Sequence, residues 1–411
     1  ACFGVGFPAL VVTAELMGLR RKDADLTRLA RRWSRTLAVL FAVGAVSGTI
    51  LSFELGILWP GLMRTFGDVW GLPFAIEGIA FFVEAIFVGI YLYGWDRLSP
   101  RLHVLSGIPI VVAGVASAWF VVTANSWMNQ PRGFDVARYL STGEVTKVDP
   151  WAAVFNRATP PQTTHMVLAA FMVAGYGTAT VYAASLLRGK TDRYHRIGFV
   201  LPFAMAAAIT PFQIVVGDWA TRFLAKNQPI KLAAAEGLAT TERGAPLIVG
   251  GIYVRGEVRY GVRIPRALSL LAFHDPNAQV TGLDAVPPDQ RPKVAVVRTA
   301  FQLMVGIGTS MLLLGAWFGA VWWRRRRLPK ARWFLRLAVL AGPLAVVALE
   351  CGWVVTEVGR QPWIVYNVMR VEEAVTTAPD IRIGYYALVA VYAGLTIGTV
   401  YVLRLLARND A

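Results

Sequence analysis

The chain has 411 residues, 56% of them apolar and 16% charged, with a formal net charge of +16. A soluble domain carries about 25% charged residues, and apolar runs of about twenty residues recur here, so an ordinary soluble enzyme is ruled out and an all-α polytopic membrane protein is expected. The basic residues sit in short loops between apolar runs, which is the pattern of cytoplasmic loops and not of a nucleic-acid module.

About nine transmembrane helices are expected, in one domain covering residues 1–411. Residues 2–17 read as the back half of a first span, as if the sequence were truncated upstream. A basic linker follows, with Arg20, Arg21, Lys22, Arg28, Arg31, Arg32 and Arg35 against Asp23 and Asp25. Spans two to four are expected over 37–59, 72–93 and 104–127, then a polar segment over 128–164. Spans five and six cover 165–187 and 197–219. A long hydrophilic loop over 220–297 separates them from span seven, 299–323, which ends in the run Arg324 to Arg327. Spans eight and nine cover 334–358 and 385–406. The short basic loops follow spans one, three, five, seven and nine. That alternation places the long loop outside and the C-terminus in the cytoplasm. Cys2 and Cys351 both fall in apolar runs, so no disulfide framework is expected, and no Cys-x-x-Cys-His motif occurs.

Ionisable residues inside spans are functional hypotheses by default. Glu350 and Glu357 are seven apart, hence on one helix face. Their helix should stop at Gly359, which can leave the helical conformation, and Pro362, which cannot continue it. Glu77 and Glu84 repeat the same spacing. Either pair is equally readable as carboxyls satisfied by neighbours. Glu15 and Glu54 are weaker cases, near span ends. His165 opens a long apolar run; a lone histidine there is an interfacial residue or a haem ligand. Met304 alone reads as core packing. His103 is expected at the cytoplasmic interface, His195 in a basic loop and His274 in the long loop, none of them a ligand. In the loop, Lys231 and Glu236 are five apart, poorly spaced for a helical ion pair. Ser117 is either a hydrogen-bonding step in a proton path or bonded to its own helix.

The run Gly359-Arg360-Gln361-Pro362-Trp363, preceded by Glu350-Cys351-Gly352-Trp353, resembles the signature of subunit I of the cytochrome bd quinol oxidases. So do Ala75-Ile76-Glu77-Gly78, Gly94-Trp95-Asp96-Arg97-Leu98, Asn125-Ser126-Trp127 and Lys231-Leu232-Ala233-Ala234-Ala235-Glu236. The loop is of the short kind for that family. The resemblance runs through spans two to eight in order. It implies quinol oxidation at the outer face and reduction of O2 to water with cytoplasmic protons, building a membrane potential in the bacterial cytoplasmic (inner) membrane. It implies His165 and Met304 as ligands of a low-spin haem b and Glu350 as ligand of a high-spin haem b, with Trp353 and Arg360 beside the cofactors. A third haem, haem d or another haem b, has its family ligand upstream of Ala1. Glu77 and Glu84 match carboxylates implicated in proton delivery, and Lys231 and Glu236 match residues implicated in quinol binding and oxidation. Where the family has an arginine two residues before the ligand methionine, this chain has Gln302; Arg298 is the nearest arginine. A homologously folded second membrane subunit in a heterodimer, and a small single-span subunit, are the implied partners. The competing readings are a carboxylate-lined transporter or channel, and a non-catalytic membrane subunit of the same family.

Overall fold

The computed structural model describes residues 2–329, 331–379 and 381–409. Among them nine helices are long and apolar enough to cross a membrane. They are Cys2–Arg21, Ala24–Leu58, Pro60–Gly94, Pro100–Asn129, Thr159–Leu187, Arg193–Asn227, Val294–Arg325, Arg332–Val358 and Ile381–Asn409, numbered here as spans one to nine.

Several helices overrun their apolar cores. The basic linker expected after span one is mostly helix: Asp23 caps span two by accepting hydrogen bonds from the backbone N–H groups of Asp25 and Leu26. Arg193 reaches across to Asp23 and Asp25, and Arg31 to Asp96 at 2.6 Å, so the basic ends of these spans are cross-tied. Span three starts twelve residues ahead of its apolar run because Pro60 occupies the first helical turn, where its missing N–H costs nothing. Span six continues to Asn227 and span seven starts at Val294, so the segment between them is 228–293, shorter at both ends than the expected 220–297. Hydropathy marks where lipid ends, and a helix continues into water as long as its backbone bonds and caps hold.

Span five packs on six and eight, and span seven packs on the same two, so five and seven stand diagonally in a four-helix bundle. Spans one and three stand likewise against two and four. Spans one and four both touch span five and join the bundles. Small residues allow close approach. A Cβ on Gly175 would lie 2.8 Å from the Ala206 methyl, and one on Gly6 2.7 Å from that of Ala174. Phe199, Phe203, Phe318 and Phe334 interlock edge-to-face and stacked in the cytoplasmic half of the bundle of spans five to eight. Span nine leans on span two.

The segment between spans six and seven holds a helix, Pro229–Glu236, and three two-stranded antiparallel pairs. These are Glu242–Arg243 with Gln279–Val280, Leu247–Val249 with Val262–Ile264, and Ile252–Val254 with Glu257–Arg259. After span eight the chain forms a small hairpin, Trp363–Val365 with Met369–Arg370. The short helix Val371–Ala374 follows it and touches span three; a Cβ on Gly61 would meet the Glu373 carbonyl at 2.4 Å.

Candidate functional site

Span five begins at Thr159, behind Pro160 and Pro161, so His165 lies in the second turn and does not open the helix as expected. Its Nδ1 is buried with no hydrogen-bond partner, and its Nε2 lies 3.1 Å from the amide nitrogen of Gln213 on span six. A Cβ on Gly217 would sit 3.4 Å from the imidazole Cε1. On span seven the Met304 sulfur faces Gly352 of span eight, 3.3 Å from where a Cβ would be. Gly308 of span seven meets Ile214 of span six, which puts Met304 and Gly217 at one level. An imidazole with an unpartnered nitrogen and a thioether, at one level on diagonal helices, are side chains of the kind that could hold a six-coordinate haem iron.

The carboxylates divide. Glu357 accepts hydrogen bonds from the Asn125 side chain and, at 2.5 Å, from Arg360 Nη2. Glu350 is exposed, within electrostatic reach of Cys2. The two share a face, as their spacing predicts, but have separate surroundings. Glu84 is buried between spans one and four. Its Oε1 lies 3.9 Å from the position of a Cβ on Gly4 and 3.5 Å from one on Gly114. Glu350 and Glu84 thus both approach the first residues of span one. Glu77 accepts a 3.0 Å hydrogen bond from Ser117, which joins two residues singled out separately in the sequence. Trp353 is half-buried beside Gly352.

Gly359 ends span eight in a right-handed conformation, not a left-handed one, so its conformational freedom is not what the site uses. It is needed for approach: a Cβ there would lie 2.9 Å from Lys231 Cγ. Lys231 is buried, and its ammonium donates to Asn129 Oδ1 at 2.5 Å. Asn129 donates to Asn125 Oδ1 at 3.0 Å, and Asn125 reaches Glu357. The chain Lys231–Asn129–Asn125–Glu357–Arg360 therefore connects the loop helix, span four and the end of span eight. Burial pushes the Lys231 amine well below its ordinary value, with the Arg360 charge adding to the effect, and burial also lowers Arg360. Arg360 keeps Nε and Nη1 without partners. Lys231, Arg360, Gly359, Ile230, Trp363 and Tyr366 line a cavity of about 510 Å³.

Glu236 lies five residues beyond Lys231, within electrostatic reach of Arg298. Burial raises its carboxyl to about 7, against a lowering by Arg298, and Oε2 has no partner. Arg298 is fully buried and donates to the carbonyls of Glu236 at 2.6 Å, Ile248 at 2.8 Å and Gly250 at 2.7 Å. These three bonds clamp the loop to span seven. Gln302, at that position, accepts a hydrogen bond from the Gly250 N–H at 2.9 Å.

Sequence reasoning passed over two groups. Asn125, Asn129 and Gln228 are the polar joints of the outer network, with Gln228 donating to the Asn129 carbonyl at 2.7 Å. The recurrence of Asn at i and i+4 on an apolar helix was the available signal. Second, His103 is buried, with Nδ1 2.6 Å from Glu15 Oε1 and Nε2 2.8 Å from the Tyr91 carbonyl. Tyr91 donates to Glu15 Oε2 at 2.5 Å, so Glu15 is no loose span-end residue.

The family model for cytochrome bd terminal oxidase subunit I matches residues 1–411. A Bacillus subtilis (strain 168) protein, provisionally named cytochrome bd menaquinol oxidase subunit I, is 37% identical over 98% of this chain and 91% of its own length. The cytochrome bd ubiquinol oxidase subunit 1 of the same organism is 30% identical over 92% of this chain and 82% of its own. The structure of bd oxidase from Geobacillus thermodenitrificans superposes with a TM-score of 0.92 at 38% identity, covering 100% of this chain and 94% of that one. A diagonal His and Met, a buried lysine beside a cavity and a full-length family match agree: this multi-pass membrane protein belongs to the cytochrome bd terminal oxidase subunit I family, whose members carry haem, and it is a quinol oxidase.

Proposed function

We propose that the chain is the haem-bearing subunit that oxidises quinol at the outer face of the bacterial cytoplasmic (inner) membrane. It reduces O2 to water with protons taken from the cytoplasm, so that a membrane potential forms without a pump. The observation that carries the outer half of this reading is the cavity walled by Lys231 and Arg360, about two helical turns beyond Gly352, which the Met304 sulfur faces. The Lys231 amine donates a hydrogen bond to a quinol oxygen and so binds the substrate. Asn129 and the Gly359 backbone hold its stem in place. Glu236, titrating near neutrality, accepts the proton that leaves the quinol and passes it outward. The loop 228–293 is thus the quinol-binding part of a single membrane domain.

His165 and Met304 hold a low-spin haem b, and Glu350 a high-spin haem b beside Trp353. A third haem, d or b, completes the set. Haem supplies one-electron transfer and, at an open coordination position, the reaction with O2. The unpartnered N–H groups of Arg360 suit a propionate carboxylate. Ser117 orients Glu77, and Glu77 and Glu84, seven residues apart, relay protons along span three towards the first residues of span one. The partners are a homologously folded second subunit and a small single-span subunit. The test is spectroscopic. His165→Ala should remove the low-spin haem b signal and Met304→Leu should shift its potential or make it high-spin, with quinol-driven oxygen uptake lost in the first and reduced in the second. A normal low-spin signal in His165→Ala would reassign the ligand.

A further inference from the structure

The paired strands Leu247–Val249 and Val262–Ile264 set Leu247 opposite Ile264 and Val249 opposite Val262. Opposed side chains share a face, so four aliphatic groups form one surface. Val249, Val262 and Ile264 are exposed on it, while Ile248, pointing the other way, is buried. The neighbouring hairpin does the same: Ile252 and Val254 face out beside Arg259 and Glu257, and Tyr253 and Val258 turn inward. A half-buried hairpin in water turns polar residues outward. Here much of the outward face is aliphatic.

Span seven fixes the depth of this surface. It runs 32 residues from Val294 to Arg325, about 48 Å at ~1.5 Å per residue, against a hydrocarbon core of roughly 30 Å. Trp323, 82% exposed, sits just before the cytoplasmic arginines and marks the inner edge of the core. Roughly twenty residues outward from it, the outer edge falls at Leu303. Gln302 therefore stands at that edge, and it holds the Gly250 N–H; Arg298, one turn further out, holds the Ile248 and Gly250 carbonyls. The strand Ile252–Val254 also packs on span seven. The aliphatic surface thus lies at the boundary of hydrocarbon and headgroups. Over residues 247–266 the charges are Arg255, Arg259, Arg263 and Arg266, all exposed, against one carboxylate, Glu257.

We propose that the two hairpins spanning 247–264 dip into the outer leaflet. The face of Val249, Val262 and Ile264 lies among acyl chains, and the four arginines bind the phosphates of anionic lipid headgroups. Arg298 joins this element to the Glu236 carbonyl, so lipid seated on the hairpins steadies the far end of the loop helix. The proposal depends on the depth of span seven and not on which residues hold haem.

Nitroxide labels on Val262→Cys and Ile264→Cys test it, in the whole oxidase reconstituted into phosphatidylglycerol nanodiscs, with Asp275→Cys as a label in water. At 262 and 264, collisions with O2 should exceed those with a water-soluble nickel chelate, and the order should reverse at 275. Nickel accessibility at 262 and 264 equal to that at 275 overturns the proposal. Low accessibility to both reagents also overturns it, because protein would then cover the face. Combined R255Q, R259Q, R263Q and R266Q should lower phosphatidylglycerol retained on the extracted enzyme several-fold, with haem spectra unchanged; equal retention removes the headgroup site.

Discussion

Two buried polar clusters sit at opposite ends of the helix bundles. At the cytoplasmic end Glu15, Tyr91 and His103 satisfy one another: both imidazole nitrogens, both Glu15 oxygens and the Tyr91 hydroxyl are bonded. At the outer end the atoms are as deeply covered, yet Glu236 Oε2, Arg298 Nε, Arg360 Nε and Nη1 and His165 Nδ1 have no partner. An unpaired buried polar group costs about 1–3 kcal/mol, so a closed cluster reads as architecture and an open one as a surface built to meet something else. Both contain a histidine and a glutamate, and residue type does not tell them apart.

The largest effects that would sharpen this contrast are at Glu350, whose exposed carboxylate has the fewest ties. Glu350→Gln is expected to lose the high-spin haem b and to bring O2 reduction to background in oxygen-electrode assays. A full haem complement and full turnover would show that Glu350 holds no haem. Next comes Glu236. Its carboxyl stays protonated below about 7 and accepts a proton only above that value. Quinol kcat/KM should therefore rise as pH passes upward through about 7. Glu236→Gln should flatten that limb and lower turnover by about 100-fold, with haem spectra intact. A pH profile unchanged by the substitution would leave Glu236 as mere packing.

Lys231→Ala should act on binding. Losing a charge-assisted hydrogen bond costs about 2 kcal/mol, so KM for quinol should rise by more than tenfold, while electron delivery from an artificial donor is preserved. An equal loss with both donors would place the lysine outside the quinol site. The smallest catalytic effect is expected at the closed cluster. His103→Phe leaves Glu15 Oε1 buried without a partner, while Tyr91 still bonds Oε2, and should cost about 1–3 kcal/mol of stability. That is read as a lower unfolding temperature, with quinol KM and the pH limb unaltered. If turnover fell while stability held, the closed cluster would be chemical too, and the comparison would fail.

The nine spans and their order were legible in the sequence, because twenty consecutive apolar residues have few uses outside a bilayer. The exchange of short basic loops for longer polar ones likewise oriented them. Local motifs carried His165, Met304, Glu350 and the lysine-glutamate pair of the loop, each as a residue type at a position. Tertiary structure alone decided which of these meet. Glycines at 217 and 352, on other helices, let His165 and Met304 approach their neighbouring helices closely, and no spacing along the chain encodes that. That Arg298 and Gln302 clamp the loop was likewise decided only by folding, which brought the carbonyls of Ile248 and Gly250 and the N–H of Gly250 to span seven. Glu15 and His103, 88 positions apart, looked like two span-end residues. Burial and mutual hydrogen bonding are properties of packed helices, so only the folded bundle separates a closed cluster from an open one.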